Sequence, residues 1–394
     1  MSRFPIKRRY RLVSRAVKTI DLYNMIGVCP ENVLIENRHF CMRNLADASD
    51  TELISMQNNF LSKLSKEILR ADGIFKEGLV LHSGSEANEV ALSISKVTSK
   101  ASCKSLVIIS TLTHSSVENA CAKIGLEVLK LPVDTETMRV SKRTLLTAIN
   151  KNLDVLASVV LTHGVTTLGT RYDMDIDHEV DSLLLNKKVR LHVDAAYGGI
   201  IYSLISKSPE HWKALKSLAS FTVDTHKFVG IVGCGLLFLK DAQDKYSIGK
   251  AANYFNGNNT SLGTTRSAYP LATALGAINY FGMTGLAAMA KNCINNAGRA
   301  GIALQNSGYK LITNITSGVI PVSLANEKEV DDYVAYFFEK GFKVSPIKID
   351  NQSNYVYGFR IVITSKPEVS NKNISLFMES AKAIQSGALQ ALNK

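Results

Sequence analysis

A chain of 394 residues with 46% hydrophobic and 20% charged side chains is long enough for two or three domains with sizeable cores, and has the balance of an ordinary globular protein. The formal net charge is +12, and seven positive residues fall at positions 3–18, where no acid occurs; such a run suits nucleic acid, an anionic surface, or a solvated arm that braces a neighbouring subunit. No unbroken apolar stretch of bilayer-spanning length and no apolar signal core are found, and six singly scattered cysteines argue against a disulfide framework or a zinc site, so a cytoplasmic protein without metal is expected.

Residues 1–50 read as an irregular N-terminal arm. From about residue 75 to 240, short β-branched runs (SLVIIS, ASVVLTH, VRLHVDAA, CGLLFLK) alternate with stretches of helical spacing (SEANEVALSISKV, SSVENACAKIG, KRTLLTAIN). Continuous apolar strands between amphipathic helices predict an α/β domain with a mainly parallel sheet covered on both faces. After residue 270 the pattern gives one or two long helices ended by Gly308, then strand, helix, strand, strand at SGVIPVSL, KEVDDYVAYFFEKG, FKVSPIKI and YGFRIVITS. This predicts a large domain over 51–295 and a small α+β domain over 296–394.

The polar residues at the ends of these elements are the chemical candidates. In LHSGSEANEVAL, the small residues Ser83, Gly84 and Ser85 lead into a helix expected to begin near Glu86. Free N–H groups at such a junction bind anions, although Ser85 reads equally as a plain helix cap. His114 follows the strand SLVIIS, at the sheet edge where α/β proteins put ligands, and reads as a stacking ring or a packing histidine. LTHGVTTLG ends a strand in a polar loop, with His163, Thr166 and Thr167 as candidates. Asp194, in VRLHVDAAYGG, is an acid at the end of an apolar strand and needs a partner; Ala195 and Ala196 leave room beside it for a flat group. Lys227, in FTVDTHKFVG, is an amine before an apolar, glycine-rich run, where a lysine is either a turn residue or a nucleophile.

The order of these features, a Ser/Gly loop, a histidine, a strand-end aspartate and a lysine about thirty residues later, resembles the pyridoxal-phosphate enzymes of the aspartate-aminotransferase fold, fold type I. HVDAAYGG and DTHK are similar to the group II amino-acid decarboxylases, most of all to compact microbial tyrosine/aspartate-type members. The resemblance covers roughly residues 75–280, with a weaker match beyond. It implies pyridoxal 5'-phosphate as cofactor and decarboxylation of an L-amino acid through an external aldimine and a quinonoid intermediate. It also implies a homodimer with its active site at the interface. It places the covalent attachment at Lys227, the ring-nitrogen acid at Asp194, ring stacking at His114 and Ala196, and the phosphate cradle at Ser83, Gly84 and Ser85. Asp224 and His226 fall beside the phosphate or the lysine, and Thr166 near the phenolic edge. Arg360 would hold the substrate carboxylate, Tyr254 would donate a proton, and Thr264 or Thr265 would contact the partner's cofactor phosphate. Two departures stand out: Gly164-Val165-Thr166 where a Gly-Thr-Thr is usual, and His82 before the phosphate loop. Two other functions stay open. One is a carbon–carbon lyase resembling the sphingosine-phosphate lyases, with which the lysine motif is shared. The other is a basic, tRNA-associated or non-catalytic protein on the same fold, which the N-terminal charge favours and the retained Asp194, His114 and Lys227 oppose. No membrane partner is expected.

Overall fold

The computed structural model describes residues 20–21, 27–45, 49–99, 104–247, 265–351, 354–364 and 371–385. Tyr254, Thr264 and the basic positions 3–18 lie outside them. Two compact units result: one holds residues 27–166 and 170–292, the other 167–169 and 293 onward.

The larger unit is built on seven strands, β1 (Glu77–Leu81), β2 (Leu106–Ser110), β3 (Glu127–Leu131), β4 (Leu156–Thr162), β5 (Arg190–Asp194), β6 (Leu218–Asp224) and β7 (Gly235–Leu239). Their order is β1-β7-β6-β5-β4-β2-β3. Only β7 runs against its neighbours; the pairs β6–β5, β5–β4, β4–β2 and β2–β3 are parallel. β2, β4 and β7 are buried along their whole length, which explains their unbroken apolar sequences: a strand covered on both faces has no solvent side to alternate with.

The helices start where side chains satisfy their first N–H groups. The helix α1 (Gly84–Thr98) is capped by Ser83, whose Oγ accepts from Glu86 N at 3.3 Å. The cap therefore sits at Ser83, and the helix begins two residues earlier than the sequence suggests. In α2 (Ser115–Ile124) the cap is His114, and Gly125 ends the helix in a left-handed conformation at φ 67. Residues Ala87, Val90, Ala91 and Ile94 of α1 pack on Leu79, Leu81, Leu237 and Leu239 of β1 and β7. A third helix, α3 (Tyr269–Asn306), is helical except at Gly282, where φ 61 and ψ 174 break it. It is long and apolar enough to cross a bilayer by length and composition alone, but Leu271, Ala274, Ala277, Leu286 and Leu304 along it are fully buried within the protein.

The smaller unit has an antiparallel sheet of β8 (Lys310–Leu311), β9 (Val319–Leu324), β10 (Ser345–Asn351) and β11 (Asn354–Val362), in the order β10-β11-β9-β8. Helix α4 (Glu327–Glu339) supplies Tyr336 and Phe337 to a core with Phe342, Phe359, Ile361 and Phe377. The strand–helix–strand–strand reading of this region agrees with the structure.

Candidate active site

Three parallel strands stop side by side at one edge of the large sheet. Thr162 of β4 pairs in register with Asp194 of β5, and Asp194 with Thr222 of β6; Asp224 closes β6 two residues further on. Ligands collect beyond such carboxyl ends because the chain there is loop, with polar groups to spare. A pocket opens at this edge, lined by Gly84, Ser85, Asn88, Leu112, His114, Ser116, Thr162, Gly164, Thr166, Asp194, Ala196, Tyr197, Asp224 and Lys227. Gly84 allows the start of α1 to lie against the strand ends: a Cβ there would stand 2.8 Å from Asp224 Oδ2 and 3.0 Å from Ala196 Cβ. Gly164, at φ 90, and Gly198 press their backbones together, which brings the loop after β4 down beside the chain that follows β5.

Lys227 ends a short 3₁₀ turn, Thr225–Lys227, immediately after β6. The turn is fixed by Phe228 N donating to Thr225 O (2.8 Å) and Gly27 N donating to His226 O (2.7 Å). Lys227 Nζ lies 3.4 Å from Asp224 Oδ2 with a fifth of the side chain exposed. His226 donates Nδ1–H to Cys234 O at 3.3 Å and brings Nε2 to 3.8 Å from Asp224 Oδ2. Asp224 Oδ1 is buried and meets no hydrogen-bond donor. A buried carboxylate oxygen left so is costly unless something else fills the place.

Asp194 is held from two sides. Its Oδ1 accepts from Ala196 N at 3.1 Å and its Oδ2 from Asn88 Nδ2 at 2.9 Å. Asn88, on α1 and 1% exposed, also donates to Ser116 Oγ at 3.2 Å, and its Oδ1 meets His192 Nε2 at 3.0 Å. His192 Nδ1 meets Ser220 Oγ at 2.8 Å. Burial drives the His192 ring down to about 4, so it is neutral at physiological pH, even though the nearby Asp194 charge pulls the other way. At the far end, Ser116 Oγ lies 2.9 Å from His114 Nδ1, which also accepts from Ser116 N at 3.2 Å.

The structure thus brings Gly84, Ser85, His114, Thr166, Asp194, Ala196, Asp224 and Lys227 to one pocket, with Ser83 capping the adjoining helix and His226 behind Asp224. Thr265 is exposed and is not part of the pocket wall. Arg360 sits on β11, in register with Pro321 and Ser345, in the smaller unit. His163 lies fully buried, stacked on Tyr172 at 4.8 Å. Asn88, Ser116 and His192 are additional to the residues singled out in the sequence. Helical spacing was the available signal for Asn88, four residues after Gly84 and so on the same face; the two-residue strand period was the signal for His192, two before Asp194.

The same architecture occurs in solved structures of pyridoxal-phosphate fold type I. A glutamate decarboxylase of Lactobacillus brevis matches over 98% of this chain and 93% of its own, with a TM-score of 0.80 at 17% identity. A sphingosine-1-phosphate lyase of Burkholderia pseudomallei matches over 100% and 95%, with a TM-score of 0.75 at 17% identity. At such identities the likeness establishes the fold alone, and it is shared by a decarboxylase and a lyase. Sequence narrows the class: residues 49–320 match the pyridoxal-dependent decarboxylase conserved domain, and the chain belongs to that family. A "Probable L-tyrosine/L-aspartate decarboxylase" of Methanosphaerula palustris is 27% identical over 234 residues, 59% of this chain and 62% of that relative; the match thus spans less than two thirds of the relative's length. The family's cofactor is pyridoxal phosphate, and the residues present fit it. An amine, a fixed carboxylate and an exposed imidazole share the pocket with a helix N-terminus, and the orphaned Asp224 oxygen marks a place where a donor is wanted.

Proposed function

We propose that the protein is a pyridoxal-phosphate-dependent decarboxylase of an L-amino acid, acting as a cytoplasmic homodimer without membrane or nucleic-acid partners. The convergence of Asp194, His114 and Lys227 on one pocket beneath the N-terminus of α1 carries this reading, together with the family. Lys227 Nζ is the atom that would hold the cofactor covalently. The first N–H groups of α1 would take its phosphate, with Ser85 Oγ and with Ser83 Oγ, which accepts from Glu86 N and keeps its own proton to donate. Asp224 and His226 would order the lysine and the phosphate side. His114 and Ala196 would flank the ring, and Thr166 would approach its phenolic edge.

When bound, the cofactor supplies an electron sink for the pair left as the carboxyl group departs. The remaining tasks belong to the chain. Asp194 would hold a proton on the ring nitrogen; a close ion pair of this kind is worth about 4 kcal/mol at an effective dielectric near 20. Lys227 would yield its place to the substrate amine and take it back after reaction. Arg360 would orient the substrate carboxylate, Tyr254 would return a proton to the α-carbon, and the exposed Thr265 would reach the partner's phosphate site.

The test is an amino-acid panel with CO2 release and product mass measured together, on wild type and Lys227→Ala. A cofactor absorbance band lost in Lys227→Ala, with an amine product lighter than the substrate by one CO2, supports the reading. An aldehyde product without CO2 overturns it in favour of a carbon–carbon lyase. No cofactor band in the wild type overturns both.

A further inference from the structure

The hydrogen bonds around Asn88 have a direction, and two groups at the ends of the network fix it. Asp194 is a carboxylate and only accepts, so the Asn88 edge facing it is the NH2 group, not the carbonyl. The opposite edge, Oδ1, is therefore an acceptor, and His192 must point Nε2–H at it. With its proton on Nε2, the buried His192 ring accepts at Nδ1 from Ser220 Oγ–H. At the other end, Ser116 N is a backbone donor, so His114 Nδ1 is the acceptor. Ser116 Oγ–H then shares that one Nδ1 lone pair with Ser116 N–H, and Ser116 Oγ receives the second N–H of Asn88. The neutral form of His114 carries its proton on Nε2. The donors between these residues thus run from Ser220 through His192 to Asn88, and there divide toward Asp194 and toward Ser116 and His114.

We propose that Asn88 is the positioning residue of this site: one buried amide holds both the acid that would face the cofactor ring nitrogen and the serine hydroxyl that steadies the imidazole that would cover the ring. The proposal rests on the cofactor reading of the pocket. The amide donates both of its protons inward, so neither Asp194 nor His114 can change its hydrogen-bonding state without disturbing the other. Fully connected buried networks of this kind hold one geometry, and a half-satisfied one is costly. The isosteric substitution is the informative one. Asn88→Asp keeps shape, volume and the acceptor for His192, but replaces the two donors with an acid 2.9 Å from Asp194. Two carboxyl groups that close share a proton, which compromises Asp194 as the partner of a protonated ring nitrogen.

The experiment titrates pyridoxal phosphate into cofactor-stripped protein and follows the dissociation constant by absorbance. It uses wild type, Asn88→Ala, Asn88→Asp, Ser116→Ala and the Asn88→Ala/Ser116→Ala pair, with the melting temperature of each stripped protein as a check on folding. Asn88→Ala is expected to weaken binding about tenfold to a hundredfold, and Asn88→Asp more than Asn88→Ala although it is the closer isostere. The double variant is expected to lose less than the product of the two single losses, because both act on one network. Milder loss in Asn88→Asp than in Asn88→Ala, or multiplicative losses in the double variant, would overturn the proposal and leave Asn88 a packing residue. Ser116→Ala removes one oxygen, so it stays informative if an Asn88 variant fails to fold: unchanged affinity there overturns the link to His114. A wild type that binds no cofactor would instead bring down the cofactor reading beneath it.

Discussion

Asp194 reaches the pocket with one oxygen bound by Ala196 N and the other by Asn88, so its remaining lone pairs are aimed rather than free to wander. The proposed reaction draws on its charge, and Asp194→Asn would remove the charge while keeping the shape. Losing an ion pair of about 4 kcal/mol predicts a fall in kcat/KM on the order of a thousandfold; a loss under about tenfold would mean that the acid does not pair with the ring. Asp194, His114 and Lys227 are legible in the sequence through their order along the chain and their places near the ends of apolar strands, not through any one of them alone. Asn88, Ser116 and His192 are not legible by type: an amide, a hydroxyl and a neutral imidazole are ordinary residues whose meaning comes from partners distant in sequence. Asn88 and Asp194 stand 106 positions apart. Spacing alone hints at two of them: Asn88 lies one helical turn after Gly84 on α1, and His192 and Asp194 on β5 face Ser220 and Thr222 on β6 as a polar ladder inside an apolar sheet.

Strands and helices transmit position to the site through close backbone contacts, and glycine marks where. Gly235 opens β7 against the Ser83 cap of α1: a Cβ there would stand 2.2 Å from the carbonyl carbon of Ser83. The neighbour is backbone, which cannot rotate away, so Gly235→Ala is expected to cost about 1–3 kcal/mol or more and to weaken cofactor binding by displacing Ser83. Gly298 is the contrast. It lies within α3, where a Cβ would meet nothing inside 4 Å, so Gly298→Ala is expected to stabilise by about 0.5–1 kcal/mol through helix propensity. Thermal melts of the two variants check both signs. The central strands were legible because they are continuously apolar. Direction was not: CGLLFLK reads like its parallel neighbours, yet β7 runs opposite to them, because apolar composition carries no sense of direction. The edge strand β3 hides for another reason, since Glu127 and Lys130 are exposed and interrupt the apolar run.

At the scale of the whole molecule, buried imidazoles tie stability to pH. His163 is fully buried, and desolvation, with the charges of Arg171 and Lys213 adding to it, pushes it down to about 3. Its approach to Glu210 at 3.7 Å is therefore not an ion pair. Glu210 is instead met by Arg171 at 3.1 Å and by the Tyr172 hydroxyl at 3.2 Å. His192 is likewise pushed down to about 4 by burial. Both rings bind a proton more readily in the unfolded chain, near an ordinary value of about 6.5. Their contribution to stability is thus complete above that pH and drains away as the pH falls toward 4 and 3, each proton costing up to about 1.4 kcal/mol per pH unit. Carboxylates change stability in the same range, so the effect must be isolated by substitution. His163→Gln removes one titrating ring while retaining an amide that can face Glu210. The melting temperature of the wild type should fall more steeply between about pH 6.5 and 4.5 than that of His163→Gln. Parallel curves would show that the ring accepts its proton without unfolding the site, which its burial and the neighbouring Arg171 charge argue against.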